Sequence, residues 1–174
     1  MNFLEKLNDI NTFIFDVDGV LTNGELLILE NGQLLRKMNT RDGYAMKKAA
    51  QAGYNVCIIT GGKSEGVKTR LEGLGITDIF INIENKREVY SEYIRRNGIN
   101  ADNVLYMGDD LPDYAVMRLV GLPACPADAA HEISELAAYI SPYDGGKGCV
   151  RDIIEKVLRL HGKWLDEAHV ESNI

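Results

Sequence analysis

The chain has 174 residues, 45% of them hydrophobic, with three cysteines and a formal net charge of −7. That length suits one domain with a substantial core, and the negative charge argues against nonspecific nucleic-acid binding. Cys57, Cys125 and Cys149 are too few and too far apart for a disulfide framework or a thiolate zinc site, so they read as core residues. No apolar run approaches the roughly 20 residues a membrane helix needs, and residues 1–11 hold no long apolar leader; a cytoplasmic protein without membrane contact is expected. His131, His161 and His169 are scattered and suit surface or capping places better than ligation.

The first element in chain order is the apolar run from Thr12, predicted as a strand over 12–16 that ends abruptly in Asp16 and, after one valine, Asp18. In open α/β folds ligands bind at the carboxyl ends of buried strands, and two such carboxylates can bind Mg²⁺ and act on phosphate. The plainer alternative is an acidic strand end with a capping aspartate. Gly19 allows a sharp turn and Thr22 can bond nearby backbone. From Glu25 to Met38 the pattern is a β-hairpin about Asn31-Gly32. Its consecutive apolar residues Leu26–Leu29 give the ribbon two apolar faces, whereas a lone two-stranded ribbon is marginal in water. Packing on its own sheet is the plainer alternative; burial against neighbouring subunits is the favoured reading, and it predicts an oligomer.

Asp42 is then expected to cap a helix that carries Met46, Ala49 and Ala50 and closes at Gly53. A buried strand over 54–60 delivers Thr60 to a Gly61-Gly62 turn, and Val67, Leu71 and Leu74 mark a helix ending before Gly75. After a short strand at Ile79–Ile81, Lys86 opens another helix. The run 103–107 forms a strand that ends in Gly108-Asp109-Asp110, with Asp113 close behind. Val150, Ile153, Ile154, Val157 and Leu158 recur at i, i+3, i+4, i+7 and i+8, one buried stripe of a final helix. Short buried strands alternating with helices predict a doubly wound α/β domain with a parallel sheet and right-handed crossovers.

Four strand-end features, Asp16/Asp18, Thr60-Gly61-Gly62, Lys86 and Asp109/Asp110/Asp113, should therefore converge on one sheet edge. A threonine hydroxyl and the amides of a glycine turn can cradle phosphate oxygens, a lysine can neutralise them, and hard carboxylate oxygens suit Mg²⁺. Each has a bland alternative as punctuation, as a solvated charge or as an acidic turn. The ordered set is far more specific than its parts.

The set resembles the four motifs of the haloacid dehalogenase superfamily: Asp16-Val-Asp-Gly-Val-Leu-Thr22, Thr60, Lys86 and Gly108-Asp-Asp-Leu-Pro-Asp113. The resemblance implies that Asp16 is a nucleophile taking a phosphoryl group and Asp18 the general acid/base. It implies that Thr60, Gly61 and Lys86 hold phosphoryl oxygens, and that Asp109 binds Mg²⁺ with Asp16 and the Asp18 backbone carbonyl. Asp110 and Asp113 would act nearby without touching the metal. An aspartate at position 18 suits a phosphatase, whereas the superfamily's ion-pumping ATPases carry threonine there.

The gaps between motifs are too short for a cap domain. The hairpin position, Asn39-Thr-Arg-Asp-Gly43, Ile58-Ile-Thr-Gly-Gly-Lys63 and Gly145-Gly-Lys-Gly-Cys-Val-Arg151 resemble the capless tetrameric 3-deoxy-D-manno-octulosonate 8-phosphate phosphatases over nearly the whole chain. That family implies a sugar-acid phosphate substrate, Mg²⁺, and a homotetramer whose subunits lend each other a lid from the hairpin or the tail. It also implies substrate contacts near Arg41, Asp42 and Gly43. Arg41 alone reads equally well as a surface ion-pair partner, and the tail over 162–174 as simple disorder. Thr60-Gly61-Gly62-Lys63 departs from the Thr-Gly-Arg common in many members. One domain over 1–174 is expected, with the hairpin at about 25–38. The alternatives are a phosphatase for a nine-carbon sugar-acid phosphate or another sugar phosphate, a phospho-signalling receiver module, and a noncatalytic scaffold. The receiver is disfavoured because its acceptor aspartate ends a later strand, where this chain has Thr60.

Overall fold

The structure, a computed structural model, describes residues 3–165. His169 and most of the tail expected over 162–174 lie outside the described residues. Helix α1 (Phe3–Asp9) leads into β1 (Thr12–Phe15), followed by the hairpin strands β2 (Leu27–Ile28) and β3 (Leu34–Leu35) and by α2 (Thr40–Gln51). The alternation then runs β4 (Asn55–Ile59), α3 (Glu65–Gly73), β5 (Asp78–Phe80), α4 (Lys86–Asn97), β6 (Val104–Met107) and α5 (Leu111–Met117). It closes with β7 (Leu122–Cys125), α6 (His131–Leu136), β8 (Tyr139–Ile140) and α7 (Cys149–Leu160).

Six strands form one parallel sheet in the order β5-β4-β1-β6-β7-β8. The chain builds outward from β1 to β5 on one side and then returns to place β6 on the other. The switch point therefore falls between β1 and β6, where a crevice opens beyond the strand ends. Phe15 pairs with Met107 across that junction. Every residue of β1 and β6 is buried, as a sheet covered on both faces requires. Phe13 and Phe15 face a layer containing Leu7, Met46 and Ile153, while Ile14 faces Tyr90, Val116 and Ile133; the alternation follows the two-residue period of a strand. The α7 stripe is fully buried as expected, and so are the three cysteines. Among the described residues no separate cap domain stands apart from the sheet, and no helix is long and apolar enough to cross a membrane.

The hairpin forms, with Leu27 opposite Leu35 and Ile28 opposite Leu34. Its loop is wider than a two-residue turn: Leu29 N–H donates to Gln33 O at 2.9 Å and Gly32 N–H to Leu29 O at 2.8 Å. Gly32 has φ 84°, and the Asn31 side chain accepts from Gln33 N–H at 3.0 Å. The cap of α2 differs from expectation. Asn39 rather than Asp42 accepts the first amides, those of Arg41 at 2.8 Å and Asp42 at 3.3 Å. An asparagine one residue before the helix reaches those orphan donors, whereas Asp42 already lies in the first turn. Strand β7 was not anticipated, because Pro123 argues against an interior strand; Leu105 pairs with Leu122, and β8 completes the edge.

The loop before α7 backs the turn that follows β1. Gly146 N–H donates to Val20 O at 2.9 Å. A β-carbon on Gly145 would lie 2.0 Å from Gly19 O, and one on Gly146 would lie 2.6 Å from Thr22 C.

Candidate active site

Asp16 follows β1 immediately and extends its ladder, donating its N–H to Met107 O at 3.1 Å. Asp16 is 6% exposed, and its carboxylate accepts from Lys86 Nζ at 2.9 Å through Oδ1. Lys86, the first residue of α4, reaches inward and donates also to Asp113 Oδ1 at 2.7 Å. Tyr106 from β6 donates its hydroxyl to the same oxygen at 2.6 Å, and Asp113 Oδ2 accepts the Asp109 N–H at 3.1 Å. Asp113 thus ties together α4, β6 and the turn after β6. Among the described residues, Asp16, Asp109 and Asp113 bring one carboxylate oxygen each within 4.8 Å of one another.

Three acids crowd about one ammonium that bonds two of them, and the electrostatics follow. Burial first, and then repulsion by Asp113, raise the Asp16 carboxyl to about 7 in spite of Lys86. Burial and the neighbouring Asp16, Asp113 and Asp110 raise Asp109 to about 8. For Lys86, burial would lower the ammonium, but Asp16 and Asp113 outweigh it and hold it above the ordinary lysine value. Burial pushes the Tyr106 phenol up, and Asp113 adds to the rise. The cluster holds more negative charge than its lysine balances, which is the donor set and charge deficit a divalent cation satisfies.

Residues 17–21 form a wide turn, closed by Thr22 N–H donating to Val17 O at 3.1 Å. Gly19 within it has φ 88°, and a β-carbon there would lie 1.9 Å from Asp109 Oδ2; only glycine meets both demands. Asp18 turns its side chain toward Arg36, which follows β3 and binds both carboxylate oxygens, at 2.6 and 3.1 Å.

Thr60 is buried beside β5, and its hydroxyl accepts from Gly62 N–H at 3.1 Å, leaving Gly61 exposed at the turn. Asp110 is exposed and caps α5, its Oδ1 accepting from Leu111 N–H at 2.8 Å. Of the Arg41-Asp42-Gly43 segment only Arg41 is exposed. It lines an open cleft of about 740 Å³ together with Tyr143, Lys147 and Arg151. Asp42, 1% exposed, accepts from Arg151 N–H at 2.8 Å and joins α2 to the start of α7, and Gly43 is buried against Arg70 and Leu74. Sequence reasoning missed Arg36 and Tyr106. Arg36 carried a faint signal, a cation where the hairpin returns to the sheet edge; Tyr106 carried none, being one more apolar-strand residue.

Fold and site together define a class, the haloacid dehalogenase-like hydrolases, and a family profile with that description matches residues 78–153. The 3-deoxy-D-manno-octulosonate 8-phosphate phosphatase of Escherichia coli (strain K12) is 39% identical over 97% of this chain and 89% of its own. The crystal structure of the Yersinia pestis phosphatase of the same name has a TM-score of 0.90 at 32% identity, covering 92% of this chain and 87% of that one. The Moraxella catarrhalis phosphatase, whose structure is described in complex with magnesium ion, phosphate ion and KDO molecule, has a TM-score of 0.90 at 28% identity, covering 97% and 96%. The chain belongs to the 3-deoxy-D-manno-octulosonate 8-phosphate phosphatase family.

Proposed function

We propose that this protein is a Mg²⁺-dependent phosphomonoester hydrolase that converts 3-deoxy-D-manno-octulosonate 8-phosphate to the free sugar acid and phosphate in lipopolysaccharide precursor synthesis. One observation carries the chemistry: adjacent strands β1 and β6 deliver Asp16 and Asp109 to the switch point, where buried Lys86 bonds Asp16 at 2.9 Å. The relatives' names carry the substrate.

In this reading Asp16 and Asp109, with the Asp18 backbone carbonyl, would hold the metal, and Asp113 sets the positions of Lys86 and Asp109. Bound there, Mg²⁺ would keep the acids ionised and neutralise phosphoryl charge. An Asp16 oxygen attacks phosphorus in line, the bond to the sugar oxygen breaks, and Asp18 gives its proton to the departing alkoxide. Asp18 then removes a proton from water as that water attacks the aspartyl-phosphate; phosphate leaves and the Asp16 carboxylate is restored. Thr60 Oγ1, the Gly61 amide and Lys86 Nζ hold the phosphoryl oxygens, aligned before reaction so that little reorganisation is needed. Arg41, exposed beside its cleft, is suited to the sugar-acid carboxylate through its planar fork.

We infer also that residues 1–174 work as one cytoplasmic domain, and that four copies assemble so that neighbours cover each active site. The support is the apolar hairpin, with Leu27 62% and Ile28 69% exposed.

Phosphate release from the eight-carbon substrate and its nine-carbon analogue, with Mg²⁺ or EDTA, tests the activity. Metal-dependent release from the eight-carbon compound is expected, and Asp16→Asn should remove it while the circular dichroism spectrum stays unchanged. Preference for the nine-carbon compound would reassign the substrate, and activity retained in Asp16→Asn would sink the mechanism. Release from no phosphoester would mark a noncatalytic scaffold.

A further inference from the structure

Arg36 enters the site from outside the main sheet. Its guanidinium meets Asp18 through Nε to Oδ1 at 2.6 Å and Nη2 to Oδ2 at 3.1 Å, the forked geometry by which an arginine fixes both the position and the plane of a carboxylate. The Arg36 side chain is 4% exposed while that of Asp18 is 34% exposed. The cation is fenced in, and the carboxylate keeps an open side. Val17, Thr60, Gly62 and Val67 border the same small space as Arg36.

Gly62 abuts the pair. A β-carbon built there would lie 2.9 Å from Arg36 Nη2 and 2.9 Å from Asp18 Oδ2, closer than side-chain atoms pack. Gly62 is not among the residues with positive φ, so its backbone conformation does not call for glycine. A side chain there would push against the ends of both members of the ion pair.

The hairpin is a short ribbon. Its ladder is two residues long on each strand, and such a ribbon is marginal without tethers. Arg36 lies directly after β3, so one contact fixes the return strand of the hairpin and the side chain of Asp18 together.

We propose that Arg36 is a positioning residue: carried by the hairpin, it clamps the ionised Asp18 carboxylate beside Gly62, so that the placement of the hairpin decides how that carboxylate is aimed at the water whose proton it takes. The proposal rests on Asp18 being the acid/base of the hydrolysis above. Any contact that moves the hairpin, including a neighbouring subunit seated on its apolar faces, then acts on the rate of the chemical step.

The test compares wild type, Arg36→Met, Arg36→Lys and Gly62→Ala in phosphate release from 3-deoxy-D-manno-octulosonate 8-phosphate with Mg²⁺. Amide hydrogen exchange over residues 26–35 is followed in parallel. Arg36→Met should lower kcat by about tenfold or more with KM within about threefold, the sign of lost alignment rather than lost binding, and should speed exchange of the hairpin amides. Arg36→Lys, which keeps the charge but loses the fork, should recover part of kcat. Gly62→Ala, which displaces the pair from the other side, should lower kcat alone and add little in the Arg36→Met background, because both changes act on one contact. A raised KM with unchanged kcat, a kcat within about twofold of wild type in Arg36→Met, or unchanged hairpin exchange would each overturn the proposal. A wild-type protein inactive on every sugar-acid phosphate would instead overturn the activity, and the exchange experiment would still report on the clamp.

Discussion

Asp113 offers no free carboxylate at the sheet edge. Oδ1 accepts from Lys86 and Tyr106 and Oδ2 from the Asp109 amide, so this side chain spends its hydrogen-bonding capacity on holding the others in place. Burial first, and then a shortage of positive charge beside them, raise Asp16 and Asp109 to about 7 and about 8 from 3.8. The sign of the linkage is set by those values. Between about pH 4 and pH 8 these two carboxyls bind more protons in the folded than in the unfolded chain, so their contribution to the stability of metal-free protein falls as pH rises through that window. Thermal midpoints measured from pH 4 to 8 in EDTA should fall, Mg²⁺ should restore them most at the upper end, and Asp109→Asn should flatten the EDTA slope. A midpoint in EDTA that climbs with pH would contradict this account. Asp16, Thr60, Lys86 and Asp109 were all legible in the sequence because each ends a strand or opens a helix beside one. Arg36 and Tyr106 were not, because an ion pair between a hairpin foot and a turn, or a strand phenol bonded to a carboxylate of the next helix, leaves no periodic trace.

At the scale of the element, α7 and the hairpin are opposites. The five apolar residues of the α7 stripe are all fully buried, and a 3.6-residue period announces such a helix without ambiguity. Ile153→Ala should cost about 2–5 kcal/mol in denaturant unfolding, since the packed layer around it cannot fully close the cavity; a loss below about 1 kcal/mol would mean that the layer is looser than its burial indicates. The α2 boundary was less legible, because Asn39 and Asp42 are both good capping residues and only the backbone path decides which one reaches the first amides. Strand β7 was hidden by Pro123, which contributes no N–H yet still accepts the Ala138 N–H at 2.8 Å through its carbonyl. The hairpin shows the other side of the pattern. Its turn was plain in the sequence, but alternation says nothing of what covers a ribbon apolar on both faces.

For the whole molecule, strand order matters more than any single motif. Because β6 returns beside β1, residues far apart in the chain meet across one strand pair, and the site needs no second domain to assemble. The parallel alternation made this topology readable, while it carries no trace of what covers the hairpin. Leu26, Leu27, Ile28, Leu34 and Leu35 are all at least 40% exposed, and an apolar ribbon of that kind calls for a partner. Sedimentation equilibrium should give a tetramer. Ile28→Lys should shift it toward smaller species and reduce phosphate release; a wild-type monomer with full activity would remove the shared lid.

The glycines before α7 carry a different consequence, one for tolerance to mutation. In a saturation screen for activity, Gly145 and Gly146 should be as unforgiving as the aspartates, since any side chain there would strike the backbone of Gly19 or Thr22. A ranking of positions by intolerance would therefore place beside the reacting groups two residues that do no chemistry. What such a screen detects at these glycines is the closeness of two stretches of main chain, and Gly145→Ala should impair activity through that closeness alone.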